Sequence, residues 1–229
     1  MTTHIGTEIE RMFGGDFTPR PPVGKCADCG EDMWHRAKRC DACRERAEAS
    51  TASVRAWTQA VPARYAWCAF EAPELGGRVH DASAIAKARE AAASLERVTL
   101  IGPAGTGKTV LACAIARAVA ATGARCAFVE ARTLASARAQ HGLGHGEAPA
   151  VRDAIRAPVL VIDDVGSEAA NPQSAIADVI HERHAWARPT IVTCALNVEG
   201  VKGRYGDGVA RRLFEGVIVI AVKAKGGPR

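Results

Sequence analysis

Three short constellations of residues carry the chemistry of this chain. The first is Gly102-Pro103-Ala104-Gly105-Thr106-Gly107-Lys108-Thr109, preceded by Val98-Thr99-Leu100-Ile101 and followed by Val110-Leu111-Ala112-Cys113-Ala114-Ile115-Ala116. It satisfies the phosphate-binding pattern G-x-x-x-x-G-K-T at every fixed position, with a strand expected before it and a helix after it. Gripping a polyphosphate takes backbone N–H groups that converge at a helix N-terminus, and the three glycines let the chain bend around the anion. Lys108 then reaches the β- and γ-phosphates, and the Thr109 hydroxyl becomes a Mg2+ ligand. The second constellation is Pro158-Val159-Leu160-Val161-Ile162-Asp163-Asp164. Its apolar run predicts a fully buried parallel strand whose two carboxylates emerge at the C-terminal edge, where open α/β sheets bind ligands. Asp163 is expected to hold Mg2+ directly or through water, and Asp164 to polarise the attacking water.

The third consists of Cys26-x-x-Cys29 and Cys40-x-x-Cys43, with ten residues between the pairs. This spacing closes four thiolates around one tetrahedral Zn2+, and Gly30 suits the tight turn of a zinc knuckle. His35 is a minor candidate to replace one sulfur. The opening Met1-Thr2-Thr3-His4-Ile5-Gly6 has no signal-peptide pattern, which argues against a disulfide framework, and a redox C-x-x-C does not normally come doubled. So short a segment buries no core, and metal binding must supply most of its folding energy. The other four cysteines, Cys68, Cys113, Cys126 and Cys194, read as small buried hydrophobes. His141 and His145, set among glycines, have no acidic or thiol pattern that completes a metal site.

The elements that must position these groups follow from periodicity and breakers. Helices are expected over Asp41–Trp57, Ser83–Arg97, from the phosphate loop to Gly123, and over Thr133–Gln140, Pro172–Ala187 and Asp207–Phe214. Beside the two strands already named, Arg125–Val129, Thr190–Asn197 and Val217–Val222 complete five. The segment Val61-Pro62-Ala63-Arg64-Tyr65 to Glu71 is expected to pack on the core or on an adenine ring. A chain of 229 residues accommodates one α/β domain and a small accessory module. The expected division is a flexible tail at 1–25 with a short helix Thr7–Phe13, a zinc module with a linker helix at 26–56, and the main domain at 57–229. No apolar run is long enough to span a bilayer, so a cytoplasmic protein without a membrane partner is expected. The net charge is +5, and seven basic against two acidic residues fall between Val201 and Arg229. Such an end suits phosphates of a nucleotide or a nucleic acid, or forms a solvated face.

Together these features resemble the AAA+ ATPases of the DnaC/DnaI helicase-loader and IstB group, in the phage or prophage form with an N-terminal four-cysteine zinc module. The resemblance covers 26–229. It rests on the double C-x-x-C, Val61-Pro62-x-Arg64-Tyr65 with Phe70-Glu71, Gly102 to Thr109, Ile162-Asp163-Asp164-Val165-Gly166, and Tyr205-Gly206 followed by Arg211-Arg212-Leu213. It implies an AAA+ P-loop NTPase core, a five-stranded parallel sheet flanked by helices, with ATP held by Gly102, Pro103, Ala104, Gly105, Thr106, Gly107, Lys108, Thr109 and Val110. Arg212 matches the arginine finger, with Arg211 as its rival, and Arg229 falls at the sensor-2 position. The group has Thr-Thr-Asn or Thr-Ser-Asn where this chain has Thr193-Cys194-Ala195, so Thr193 or Asn197 takes over the sensing hydrogen bond, or hydrolysis is weak. The function implied is a helicase loader that binds single-stranded DNA, self-associates through its ATP site and grips a hexameric replicative helicase with its zinc-bearing part. The alternatives are an IstB-like transposition ATPase on duplex DNA and an ATP-binding adaptor that does not hydrolyse. A thymidine-kinase-type nucleoside kinase also combines a P-loop with zinc cysteines, but there the cysteines follow the P-loop domain.

Overall fold

Residues 22–142, 144–169 and 175–225 are described by the computed structural model; the expected helix Thr7–Phe13, the helix start at Pro172 and Arg229 lie outside them. The chain divides into two units, one reaching to Ala47 and one beginning at Glu48. In the first, β1 (Gly24–Lys25) and β2 (Asp32–Met33) form an antiparallel hairpin. Helix α1 (Asp41–Ala60) starts in this unit and ends in the second, so the division falls inside a helix. The second half of α1 belongs to the larger unit because Ser50 and Ser53 donate to the carbonyls of Ala121 (2.7 Å) and Gly123 (2.9 Å). Those carbonyls end the phosphate-loop helix and have no partner within it.

The larger unit continues with a single 3-10 turn (Ala63–Tyr65), α2 (Leu75–Arg78), α3 (Ala82–Ser94), β3 (Val98–Ile101), α4 (Lys108–Ala120), β4 (Cys126–Glu130), α5 (Ala131–Gln140), α6 (Pro149–Arg156), β5 (Val159–Val165), α7 (Ala175–Ala185), β6 (Thr190–Cys194), α8 (Val198–Tyr205), α9 (Asp207–Phe214) and β7 (Ile218–Ala221). The five strands are all parallel, in the order β4-β5-β6-β3-β7. Alternation along β5 divides the core into two layers. Val159 and Val161 face the layer of α3, α4 and Trp57, while Leu160 and Ile162 face the layer of α5 to α9. Helix α4 is buried along most of its length, through Leu111, Ile115 and Val119 as well as the smaller Ala112, Cys113, Ala114 and Ala116.

The fourth strand ends at Cys194, three residues before the expected end, and Asn197 instead starts α8 by accepting from Gly200 N at 2.9 Å. Helices α6 and α8, of eight residues each, were not expected from the periodicity. Arg183 of α7 explains how short α6 is held. This guanidinium, 1% exposed, donates to the carbonyls of Ala154 (2.9 Å), Ala157 (2.7 Å) and Pro189 (2.6 Å) and to Thr190 Oγ1 (2.8 Å). Burial lowers its pKa to about 10, which leaves it charged at neutral pH. Arg183→Leu strands several buried acceptors at about 1–3 kcal/mol each. The variant is therefore expected to lose about 3 kcal/mol or more in urea unfolding, and a loss under about 1 kcal/mol would contradict this account.

Candidate functional site

The loop between β3 and α4 turns on glycines whose φ angles are positive: Gly102 at 151°, Gly105 at 77° and Gly107 at 92°. A Cβ on Gly102 would stand 2.2 Å from the Val222 carbonyl oxygen, and one on Gly107 would stand 2.6 Å from Val79 Cγ2. Gly105, by contrast, faces open space. The loop is thus clamped at two glycines and open at the third, a cradle over the N-terminus of α4 that fits a polyphosphate. Lys108 Nζ donates to the Gly102 and Pro103 carbonyls at 2.8 Å each, and Thr106 Oγ1 donates to Pro103 O at 3.0 Å. Burial lowers the Lys108 pKa, while Asp164 opposes that shift.

The strand that brings the carboxylates is not regular. On β6, Val192 pairs with Ile162 and Cys194 with Val165, so Asp163 and Asp164 together face the single residue Thr193. This β-bulge twists the strand end and re-aims its side chains. Asp164 carries the extra residue's strain at φ 60°, a region that aspartate tolerates better than most residues. Thr193 Oγ1 accepts from Asp164 N at 2.8 Å and donates to Asp163 Oδ1 at 2.6 Å. Thr109 Oγ1 also donates to Asp163 Oδ1, at 2.8 Å. Burial raises the Asp163 pKa, and the two hydroxyls partly offset that rise.

A cleft of about 670 Å³ opens over these groups and is lined by Lys108, Thr109, Asp163, Asp164 and Thr193 together with Tyr65 and Arg78. The segment Val61 to Glu71 packs on the core, as expected, and also borders the cleft. Val61, Cys68 and Phe70 join the core, and Pro62, Arg64 and Tyr65 face the cleft. Asn197 does not line the cleft, since its side chain caps α8. Arg211 is exposed and ion-paired with Glu215 at 3.3 Å. Arg212 donates to Gly208 O at 2.7 Å and lies beside Arg97, Val98, Thr190 and Val217, at the strand ends opposite the cleft. Arg229 lies outside the described residues.

Two groups escaped the sequence reading. Glu130, paired with Asp163 across β4 and β5, lines the cleft with Arg132, its ion-pair partner at 3.6 Å. A polar residue ending an apolar strand at the ligand-binding edge was the available signal. Glu168, buried, accepts from Gly166 N at 3.0 Å, from Arg204 Nε at 3.3 Å and from the Tyr205 hydroxyl. It ties the turn after Asp164 to the end of α8, and no local pattern announces it.

In the first unit the four cysteine sulfurs lie within 4.8 Å of one another, with Cys29 and Cys40 Sγ 3.7 Å apart. A tetrahedral Zn2+ with Zn–S of about 2.3 Å needs sulfurs about 3.8 Å apart, so the four thiols fit the ion. Gly30 at φ 75° makes the first turn and donates its N–H to Cys26 O at 2.9 Å. The Cys40 N–H, 3.3 Å from Cys26 Sγ, is the main group holding that thiol down at about 6. His35 is exposed and stands outside the cluster.

The profile of the IstB-like ATP binding protein family matches residues 81–213. The chain belongs to this family. Among solved structures, this IstB-like chain is similar to the DnaC helicase loader, at 23% identity and a TM-score of 0.60 over 71% of this chain and 100% of that one. It is also similar to DnaI, at 21% identity and a TM-score of 0.53 over 61% and 83%. A structure of the replication initiator DnaA bound to AMPPCP and single-stranded DNA matches at 19% identity and 0.54 over 63% and 46%. No curated protein sequence matches. The five-stranded parallel sheet flanked by helices is the AAA+ fold, and no helix among the described residues is long and apolar enough to cross a membrane.

Two outcomes follow for this site. Because the folded chain holds the Asp163 proton more tightly than an unfolded chain does, ionising that carboxyl costs stability as pH rises through its raised pKa. Asp163→Asn keeps an acceptor for both hydroxyls and removes the buried charge. Without nucleotide its Tm at pH 8 should exceed the parent's by about 2–4 °C, and the gain should shrink toward pH 4. A lower Tm at pH 8 would count against burial as the dominant effect. For the cysteine cluster, elemental analysis should find one zinc per chain, and a strong chelator should expose the segment 22–47 to protease while the larger unit keeps its melting transition. Protection that survives complete metal removal would refute a metal-dependent fold.

Proposed function

We propose that this chain is an ATP-hydrolysing replication factor, a helicase loader that assembles on single-stranded DNA when ATP is bound and delivers a hexameric replicative helicase. The observation that carries the reading is the convergence of Lys108, Thr109, Asp163, Asp164 and Thr193 on one cleft of an AAA+ frame. A phosphoryl-transfer site needs a cradle for the phosphates, a cation site and a group that orients the attacking water. Lys108 has the reach to exchange its two loop carbonyls for phosphate oxygens. Thr109 and Asp163 would hold Mg2+, which neutralises the charge on the phosphates when bound. Asp164, turned into the cleft by the bulge, orients water, and Thr193, in contact with both aspartates, takes the sensing hydrogen bond in preference to Asn197. Arg64 and Tyr65 suit the nucleobase side.

Helix α9 would act on a neighbour's ATP. Arg211 reaches outward as it stands, whereas Arg212 must first release the Gly208 carbonyl. Placement away from the chain's own cleft supports a role in trans, so that hydrolysis follows self-association. The similarity to a helicase loader over that protein's whole length, and the DNA in the DnaA structure, support the choice of partners.

Membership of the IstB-like family favours a second reading, a transposition ATPase that coats duplex DNA. Affinities for single- and double-stranded oligonucleotides at one salt concentration separate the two, because phosphate contacts dominate both. The loader reading itself is tested with Lys108→Ala. ATP should increase single-strand binding and helicase capture by the parent and have less than about a tenth of that effect on the variant. A variant whose ATP response equals the parent's removes the switch.

A further inference from the structure

The loop joining β2 to α1 reads Trp34-His35-Arg36-Ala37-Lys38-Arg39, and every one of these side chains is exposed. The small apolar core beneath it is made of Cys26, Met33 and Cys43, with Cys40 packed against it. Trp34 contributes nothing to that core and is 67% exposed. Tryptophan is seldom left in water so fully. Val23, 55% exposed, lies one position beyond the Gly24–Met33 pair and therefore beside Trp34. The loop backbone is pinned, since Ala27 N donates to Lys38 O at 2.9 Å and Ala37 N to His35 O at 3.0 Å. The ring thus stands on a fixed platform.

Charge around the ring is sorted. Asp28 is taken by Arg39 at 2.7 Å and Asp32 by Lys25 at 3.8 Å. Among the described residues Arg36 and Lys38 make no ion pair, and of the hairpin's carboxylates only Glu31 is left without one. An exposed indole followed two and four residues later in the same loop by uncommitted cations is a combination suited to an unpaired base and its phosphates. A protein-binding patch would instead show a broader apolar centre depleted of charge, and among the described residues of this unit Val23 is the one other exposed large apolar side chain.

We propose that this loop is a stacking platform for single-stranded nucleic acid, with one base on the Trp34 face and the adjoining phosphates on Arg36 and Lys38. It gives the chain a nucleic-acid contact that needs no nucleotide, in addition to the ATP-dependent assembly of the loader reading. It rests on that reading only for the choice of DNA as the strand.

The test uses the full chain loaded with zinc, a fluorescent oligothymidine of about 20 nucleotides, and no nucleotide. Trp34→Ala should weaken binding about tenfold, and Trp34→Phe, which keeps a π-face, should stay within about threefold of the parent. Arg36→Gln and Lys38→Gln should each flatten the salt dependence by about 0.7 in log–log slope. Zinc content is measured on every variant, and if Trp34→Ala has lost metal, the Arg36→Gln/Lys38→Gln double variant decides. Affinity within about twofold of the parent in the deciding variant overturns the proposal, as does loss of helicase capture with oligonucleotide binding intact. The assay contains no nucleotide, so its outcome bears on this loop, whereas the ATP response of the loader test bears on the loader reading alone.

Discussion

One hydroxyl holds the reactive end of this protein together. Thr193 Oγ1 gives its proton to Asp163 and takes the N–H of Asp164, and so spans the bulge in which two β5 residues face one on β6. Without it the carboxylate of Asp163, buried and already pushed toward its neutral form, would lose one of two hydroxyl donors. The backbone of Asp164 would also lose the partner that keeps it in the left-handed region, where a non-glycine residue stores about 1–3 kcal/mol of strain. The bulge makes adjacent residues do different work. Asp163 turns toward Thr109, and Asp164 toward the open cleft.

Buried polar groups at the rim fix the elements that cannot rely on apolar area. Helices α6 and α8 are two turns long and bury few side chains each. Arg183 collects the carbonyls at the end of α6, and Glu168 collects donors from Gly166, Arg204 and Tyr205. Each is a buried polar group satisfied by several hydrogen bonds, the condition under which such groups stabilise a fold. The Glu168 cluster also forms a continuous polar path from the turn after Asp164 to the junction of α8 and α9, the helix that carries Arg211 and Arg212. The cleft and the helix of the tandem arginines are therefore joined through hydrogen-bonded side chains.

The phosphate loop was legible because its constraints are local. Gly102, Gly105 and Gly107 all take positive φ angles, and Lys108 begins a helix directly after the turn. The buried strand Val159 to Ile162 announced itself as an unbroken apolar run, and the paired cysteines declared a metal-sized cluster by spacing alone. Less was legible where a residue's role depends on what lies across a gap. Asn197 read as the end of a strand, yet its side chain caps α8, because the strand ends at Cys194 and the Gly200 N–H needs an acceptor at the start of the helix. Thr193, spelled like any β-branched strand residue, becomes a partner of both aspartates only through the β5–β6 register.

Sequence by itself determined the class of site and its order along the chain: a glycine loop that bends for anions, a strand that ends in carboxylates, and thiols spaced for a tetrahedral ion. These are properties of neighbouring residues, set by φ preference, periodicity and reach. Tertiary structure alone decided that one threonine contacts both adjacent aspartates, which of two tandem arginines is exposed, and which donors surround the buried Glu168. Those outcomes depend on a one-residue slip in strand pairing and on donors 30 or more residues away, and no local preference encodes either.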